Sequence, residues 1–298
     1  MAAQLRPQAT MPRMALLALS AFLMSIASPI ALSAQEALPA QALSARAELD
    51  WVTGTIRAYI ALDIVSAGIR LPSGRAEAER VIARMAPDLV KDTVLAIQVD
   101  SYRSVLDSIN DGSLEASALS AFLESGMRLK AVMSQDLRRL ETEYRWELPA
   151  LARLFSRHSA PLALPLATGY VPSRPYSGII IYLQNELPVR GEHLQASAQP
   201  CLLPSIYDDD MNLIMDRKRI EQPALIDRLP VAYAFRLDDP VIEARAGGDP
   251  LRIMASALFG SSRTDAVIPR SEALKILADP ANRELVRQGR VVFVILER

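Results

Sequence analysis

Leu140-Glu141-Thr142-Glu143-Tyr144-Arg145-Trp146-Glu147-Leu148 sets leucine, threonine and aromatic side chains against charged ones at every second position. A period of two belongs to a strand with one face on a core and the other toward water, so the stretch predicts a half-buried β-strand. That strand makes the first half of the chain α+β and not a helical bundle.

Upstream of it, Leu49, Val52, Ile56 and Ile60 fall three and four apart, which predicts an opening helix ended by Gly68 and Pro72. Ser73 stands where it can cap a second helix through Glu77, Val81, Ile82 and Met85 that stops before Pro87. Thr93, Leu95, Ile97 and Val99 alternate as another strand, with a helix fitting nearly as well, and Leu114 to Leu123, after Asp111-Gly112-Ser113, predicts a third helix.

Downstream the strand signals are denser. Ile179-Ile180-Ile181-Tyr182-Leu183 and Val291 to Leu296 are continuous apolar runs, the kind found in strands covered on both faces. Val231 to Leu237 and Leu251 to Phe259 predict further strands. Ser271 is read as the cap of a helix to Leu277 that ends at Asp279-Pro280, and a turn from Asn282 through Val286 leads to Gly289. Between the halves, Pro161, Pro165, Pro172 and Pro175 fall too close together for a helix or a central strand. The expected organisation is residues 34–158 as one small α+β domain, 159–175 as a Pro-rich linker, and 176–298 as a second α+β domain, both with mixed sheets.

The beginning of the chain reads as an export signal. Arg6 and Arg13 precede the apolar run Met14 to Ala27, Pro29 breaks it, and Ala31-Leu32-Ser33 offers small residues for a cut after Ser33. The run is shorter than the roughly 20 residues that span hydrocarbon. A periplasmic or outer-membrane-associated protein without a membrane span after cleavage is expected, and no cysteine near the cut invites a lipid anchor. Cys201, the one cysteine, leaves the fold to its core; flanked by Pro200 and Leu202-Leu203 it reads as a buried small hydrophobe. With 33 basic and 34 acidic residues and half the chain apolar, composition supports a packed core and argues against a nucleic-acid binder.

No familiar catalytic pattern is present. His158 and His193 are the two histidines; neither His-Glu-x-x-His, paired Cys-x-x-Cys, Gly-x-Ser-x-Gly nor a phosphate-binding Walker loop occurs, and Gly247-Gly248 lacks dinucleotide spacing. The expectation is no catalysis, no cofactor and no metal. Asp208, Asp210 and Asn212 take the first, third and fifth places of a calcium loop, but Leu213 stands where glycine is needed and Arg219 where a bidentate Glu belongs. The cluster therefore reads as a solvated turn between strands, and Asp216 to Arg219 as a solvated face. Tyr176-Ser177-Gly178 reads as a strand start where glycine permits close backbone approach, and Trp51 and Trp146 as core or interface anchors.

Four blocks of the second half carry a resemblance. Pro175-Tyr176-Ser177-Gly178-Ile179-Ile180-Ile181-Tyr182 resembles the "YTGLIVDA" strand of bacterial envelope proteins related to flagellar assembly protein T (FlgT-like) and to small outer-membrane LPP-type lipoproteins. Pro200 to Asp210, with Pro204 and Asp208 inside it, Ala246 to Ala255, with Gly248 and Pro250, and Thr264 to Ala273, with Asp265, resemble the blocks that follow in the same order. Ala246 departs from the usual valine, Leu183-Gln184-Asn185 from the usual A-R-G, and the lipoprotein cysteine is missing. The resemblance implies motifs that shape strand ends and a protein that binds envelope proteins, in some members components of the flagellar motor. The expectation is a non-catalytic assembly or scaffold component, with homo-oligomerisation left open. Two rivals stand beside it. One is a periplasmic small-molecule or glycan binder with a cleft lined by Trp51 or Trp146; the other is an unrecognised hydrolase in which His158 or His193 meets a carboxylate and a hydroxyl.

Overall fold

The computed structural model describes residues 42–296, apart from 71–73, 157, 159, 168 and 170. The export-signal reading of residues 1–33, the Ser73 cap and Pro72 lie outside the described residues.

The opening helix expected from Leu49 to Ile60 is instead an antiparallel hairpin, β1 (Leu43–Asp50) and β2 (Thr55–Asp63). Ile56 and Ile60 satisfy a period of four and a period of two alike. Ala58 and Leu62 fill the intervening positions and are buried with them, and Gly54, at φ +67°, supplies the left-handed residue that turns the chain between the strands. Helix α1 (Gly74–Leu95) does not stop at Pro87 but runs through it. Ala78, Ile82, Ala86, Val90 and Val94 are buried at four-residue spacing on both sides of the proline. Continuing that apolar stripe outweighs the roughly 3 kcal/mol that an interior proline costs. The helix also takes Thr93 and Leu95, leaving Ile97 and Val99 to a buried extended segment.

After it come α2 (Val105–Asn110), absent from the sequence reading, and α3 (Ala116–Glu124), close to where it was expected. A reciprocal box starts α2: Ser104 Oγ accepts from the Asp107 amide at 3.1 Å, and the Asp107 carboxylate accepts from the Ser104 amide at 2.9 Å. β3 (Met127–Met133) and β4 (Arg139–Glu147) complete an antiparallel sheet of order β1-β2-β4-β3, followed by α4 (Leu148–Arg153). Leu140, Thr142, Tyr144 and Trp146 of β4 are buried, as their alternation requires. Helix α1 packs on β1, β2 and β4, which covers one face of this sheet.

The second domain contains β5 (Ile179–Gln184), the short pair β6 (Leu187–Pro188) and β7 (Gln195–Ala196), β8 (Ile206–Asp208), β9 (Leu213–Met215) and β10 (Val231–Ala234). It continues with α5 (Pro240–Ala246), β11 (Leu251–Met254), β12 (Ala257–Phe259), β13 (Asp265–Ile268), α6 (Arg270–Ala278), α7 (Pro280–Arg287) and β14 (Val291–Leu296). A parallel sheet runs β10-β14-β5-β11, and a mixed sheet runs β12-β13-β8-β9. The apolar stretch Leu251 to Phe259 is thus two strands in two different sheets, broken at Ala255-Ser256. Pro269, not Ser271, occupies the cap position of α6, while Asp279 closes α6 and caps α7 by accepting from the Ala281 amide at 2.8 Å.

Ile179 to Ile181 and Val291 to Ile295 are buried throughout. On one side of the parallel sheet Ile180, Ala234, Val292 and Val294 meet Ala246 of α5; on the other, Ile179, Ile181 and Phe293 join the main apolar cluster, which continues through Ile56, Leu140 and Trp146 of the first domain. The fold is two small α+β domains, and no described helix is long and apolar enough to cross a membrane.

Candidate interaction surface

The four sequence blocks of the second half meet as two pairs. Gly178 lies so close to Ala246 that a Cβ there would overlap its backbone, the Leu251 amide donates to the Gly178 carbonyl at 2.9 Å, and β5 and β11 then pair in parallel. Ser177 Oγ donates to the Ala246 carbonyl at 2.6 Å and accepts from the Asp249 amide at 3.0 Å. Arg174 pairs with Asp249 and stacks 4.5 Å over the Tyr176 ring, and the Tyr176 amide donates to fully buried Asn282. Gly248 is exposed and Pro250 half-buried at the turn into β11.

The second pair joins β8 to β13. The Ser205 amide donates to Asp265 Oδ1 at 2.9 Å and the Ala266 amide to the Ser205 carbonyl at 3.1 Å, while Pro200 and Pro204 bracket the segment before β8, Pro204 buried. The aspartate cluster forms the turn between β8 and β9, but its first member is not solvated: Asp208 is buried. Its Oδ1 accepts from the amides of Asp210 and Asn212 at 3.0 and 2.7 Å, and its Oδ2 from the Asn212 side chain at 2.9 Å. Asp209 accepts from Ser256 Oγ at 2.6 Å, and exposed Asp210 pairs with Arg270. Among the described residues no group of three or more His, Cys, Asp or Glu side chains is disposed to hold a metal ion.

A seam joins the two domains beside that sheet. The amides of Leu202 and Leu203 donate to the carbonyls of Gln98 and Val99 at 3.0 and 2.8 Å. The Ser101 carbonyl accepts from Ser262 N at 2.9 Å and Ser261 Oγ at 2.8 Å, and a side chain on Gly260 would overlap Ser101. Trp51 meets Tyr233 edge-on at 5.5 Å, and the Tyr233 hydroxyl bridges the backbone of Cys201, accepting from its amide at 3.1 Å and donating to its carbonyl at 2.8 Å. Cys201 is buried, and burial pushes its thiol upward. In the middle of the seam lies Asp265. Burial, with a smaller contribution from Asp100, pushes its carboxyl up to about 6, against the opposing pull of hydrogen bonds from Ser101, the Ser205 amide and Thr264. The sequence reading named Thr264 and Asp265 but missed Gln98 and Ser101; residues more than 160 positions apart leave no local signal.

Apolar side chains also remain exposed. On the uncovered face of the first sheet, Tyr59 of β2 sits opposite Arg46 of β1 and Glu143 of β4, and Glu143 faces Lys130 of β3. Met127, Leu129 and Val132 of edge strand β3 are exposed with Tyr59, Leu129 at the register shift of a bulge, and the face holds a shallow hollow of about 460 Å³. At the rim of the seam Tyr102, 61% exposed, meets Phe259 edge-on at 6.3 Å, and Phe259 meets Tyr207 at 5.3 Å.

His158 spends both ring nitrogens: Nε2 lies 2.8 Å from the Ile220 carbonyl and Nδ1 3.1 Å from the Gln222 side-chain amide. His193 is exposed between β6 and β7. Trp146 is buried and donates to the Leu123 carbonyl at 2.8 Å, with Gly126 leaving room for its indole. Of the stretch Asp216 to Arg219, only Lys218 is fully exposed; Arg219 is half-buried and donates to the Leu213 carbonyl at 2.7 Å.

No curated protein matches the chain. Two family models do, together over more than three quarters of its length: residues 42–154 match the N-terminal domain of Treponema pallidum Tp0624, and residues 178–297 match the second domain of the same protein. Across those residues, and in that order, the chain is similar to two successive domains of Treponema pallidum Tp0624.

Proposed function

We propose that the protein is an exported, non-catalytic component of the cell envelope that acts as an assembly or scaffold element through contacts with other proteins. One observation carries this reading: the polar motif residues are consumed in holding the fold, whereas Tyr59 and Val132 stand exposed together on an uncovered sheet face, with Met127 and Leu129 exposed along its edge strand. Such a face, on which Tyr59 and Val132 are interleaved with Arg46, Lys130, Glu141 and Glu143, suits a protein partner of complementary charge, because interfaces outside obligate dimers mix apolar and polar area in this way. Export rests on the sequence of residues 1–33. The flagellum-associated form of the proposal rests on the four motif blocks, since the family matches name neither flagellar assembly protein T nor the lipoproteins.

The glycan-binding rival called for a tryptophan-lined cleft, and Trp146 and Trp51 are instead engaged by Leu123 and Tyr233. The hydrolase rival called for an imidazole between an acid and a hydroxyl, and His158 is held by a carbonyl and an amide. Crosslinking in intact cells followed by purification is expected to yield a stoichiometric envelope protein, lost when Tyr59 and Val132 are both changed to Ser. A clean monomer without a partner overturns the reading. A deletion strain scored for motility and for envelope integrity separates the flagellar from the general form.

A further inference from the structure

The uncovered face of the first sheet carries an ordered pattern of charge, and the strand register fixes it. In one cross-strand row Arg46 of β1, Tyr59 of β2, Glu143 of β4 and Lys130 of β3 stand side by side. In the next row, two residues away on β1, β2 and β4, stand Glu48, Arg57, Arg145 and Met127. Between the rows β1 changes from cation to anion, β4 from anion to cation, and β2 from an aromatic ring to a guanidinium. Side chains alternate along a strand, so these residues point away from buried Ile56, Ala58, Ile60, Thr142, Tyr144 and Trp146. Tyr59 is 40% exposed at the middle of the pattern.

Within one chain the pattern is incompletely balanced. Arg57 lies directly opposite Arg145, and like charges across a strand pair are unfavourable. Arg46 pairs with Glu48 at 2.7 Å and Arg145 with Glu147 at 2.9 Å, but both are surface pairs of little individual strength, free to exchange partners.

The face is complementary to itself. An isologous contact requires that residue i meet residue j and j meet i. A two-fold axis in the plane of the face, crossing the strands midway between the two rows, does this by exchanging the rows. It lays Arg46 on Glu48, Glu143 on Arg145 and the Tyr59 ring on the Arg57 guanidinium, each twice, and the last is a cation–π contact. Glu141 and Glu147 are like-signed and also face each other, but further from the axis, where the roughly 30° between packed sheets carries them apart. Four strands of seven to nine residues offer a footprint of roughly 500 Å² per copy at about 4.8 Å between strands and about 3.4 Å per residue. Two such footprints, about 1,000 Å², lie at the low end for a specific pair, which fits reversible association in the micromolar range.

We propose that this face binds a second copy of the chain as a two-fold dimer, with Arg46 of each copy on Glu48 of the other, Glu143 on Arg145 and Tyr59 on Arg57. The inference rests on the assignment of this face to protein contacts and names the chain itself as a partner.

Sedimentation velocity of the purified protein across the micromolar range tests it. A monomer–dimer equilibrium is expected that weakens as sodium chloride is raised, because the paired charges sit at a wet surface. E143R and R145E, each checked for folding by its thermal transition, are each expected to weaken the dimer by roughly a hundredfold, since each sets like charges against each other at two places. Mixed together they are expected to associate again, because the cations of one then face the carboxylates of the other. Should either fail to fold, R46E and E48R make the same test from β1. A parent that stays monomeric, a dimer that both single variants retain, or folded variants that do not associate when mixed overturns the proposal. A monomer whose envelope partner is still crosslinked in cells, and lost with Tyr59→Ser and Val132→Ser, overturns the second copy and leaves the proposed function standing; a dimer that crosslinks no other protein does the reverse.

Discussion

The antiparallel sheet β1-β2-β4-β3 and the parallel sheet β10-β14-β5-β11 have the same number of strands but differ in how many faces they hide. Helix α1 covers one face of the first and leaves Tyr59 and Val132 in water; the second is enclosed, so that Ile179 to Ile181 and Val291 to Ile295 have no outward side. One sheet is a wall with a usable exterior, and the other is interior apart from its edge strand β11, where Arg252 and Met254 are exposed. The difference separates the residues that hold the fold from those free to meet something else.

The strongest way to break that comparison is Phe293→Ala. Its side chain is fully buried in the enclosed sheet and packs edge-on against Tyr233. A loss of about 3–5 kcal/mol is expected in denaturant titration; a loss under about 1 kcal/mol would mean that the sheet is not closed on that side.

The next effect is one of pH. The carboxyl of Asp265 rises from 3.8 when unfolded to about 6 in the fold. Between those values the folded state still holds a proton that the unfolded state has released. Its contribution is therefore fully present below about pH 3.8, is lost as pH rises through about 6, and amounts to about 2–3 kcal/mol. Asp63, Asp107, Asp111 and Asp136 of the first domain move the other way: hydrogen bonds to nearby serines hold them below the usual carboxylate range, so they cost stability only on acidification below about 3.8. Tyr102, Tyr207, Tyr233 and Cys201, which also sense Asp265, are all pushed upward and do not titrate in that window. Stability measured from pH 3 to 8 is expected to show the decline between 4 and 6 in the parent and not in D265N; a decline retained in D265N assigns it to another group.

Ser104→Ala removes the box that starts α2 and is expected to cost about 1 kcal/mol. The smallest effect sharpens the contrast most. Tyr59→Ser with Val132→Ser should shift stability by no more than about 0.5 kcal/mol each, as exposed positions do, while removing the crosslinked partner. A larger loss would show that this face is part of the packing.

The same contrast governs what could be read from the residues alone. β4 is legible because a charge interrupts every second position, and β5 and β14 because nothing interrupts them. β1 and β2 were misread as a helix because isoleucines four apart serve either period, and the alanines between them do not discriminate. β3, with the sequence MRLKAVM, went unseen: an edge strand exposed along most of its length has no buried side to announce it. At the candidate surface, the failed calcium spacing was readable from Leu213 and Arg219. The burial of Asp208 was not, because its donors are mainly backbone amides, which any residue supplies. The seam around Ser101 and Thr264 is assembled from distant segments, so only the folded chain displays it.

The main apolar cluster runs from Ile56 to Phe293 without respecting the boundary between the two matched stretches. Inheritance of this chain is accordingly not modular. A recombinant that imports one half from a relative must also import the lining it rests on, Trp51 with Tyr233 and residues 97–101 with 201–205 and 257–265, or strand oily surface that neither parent ever showed to solvent.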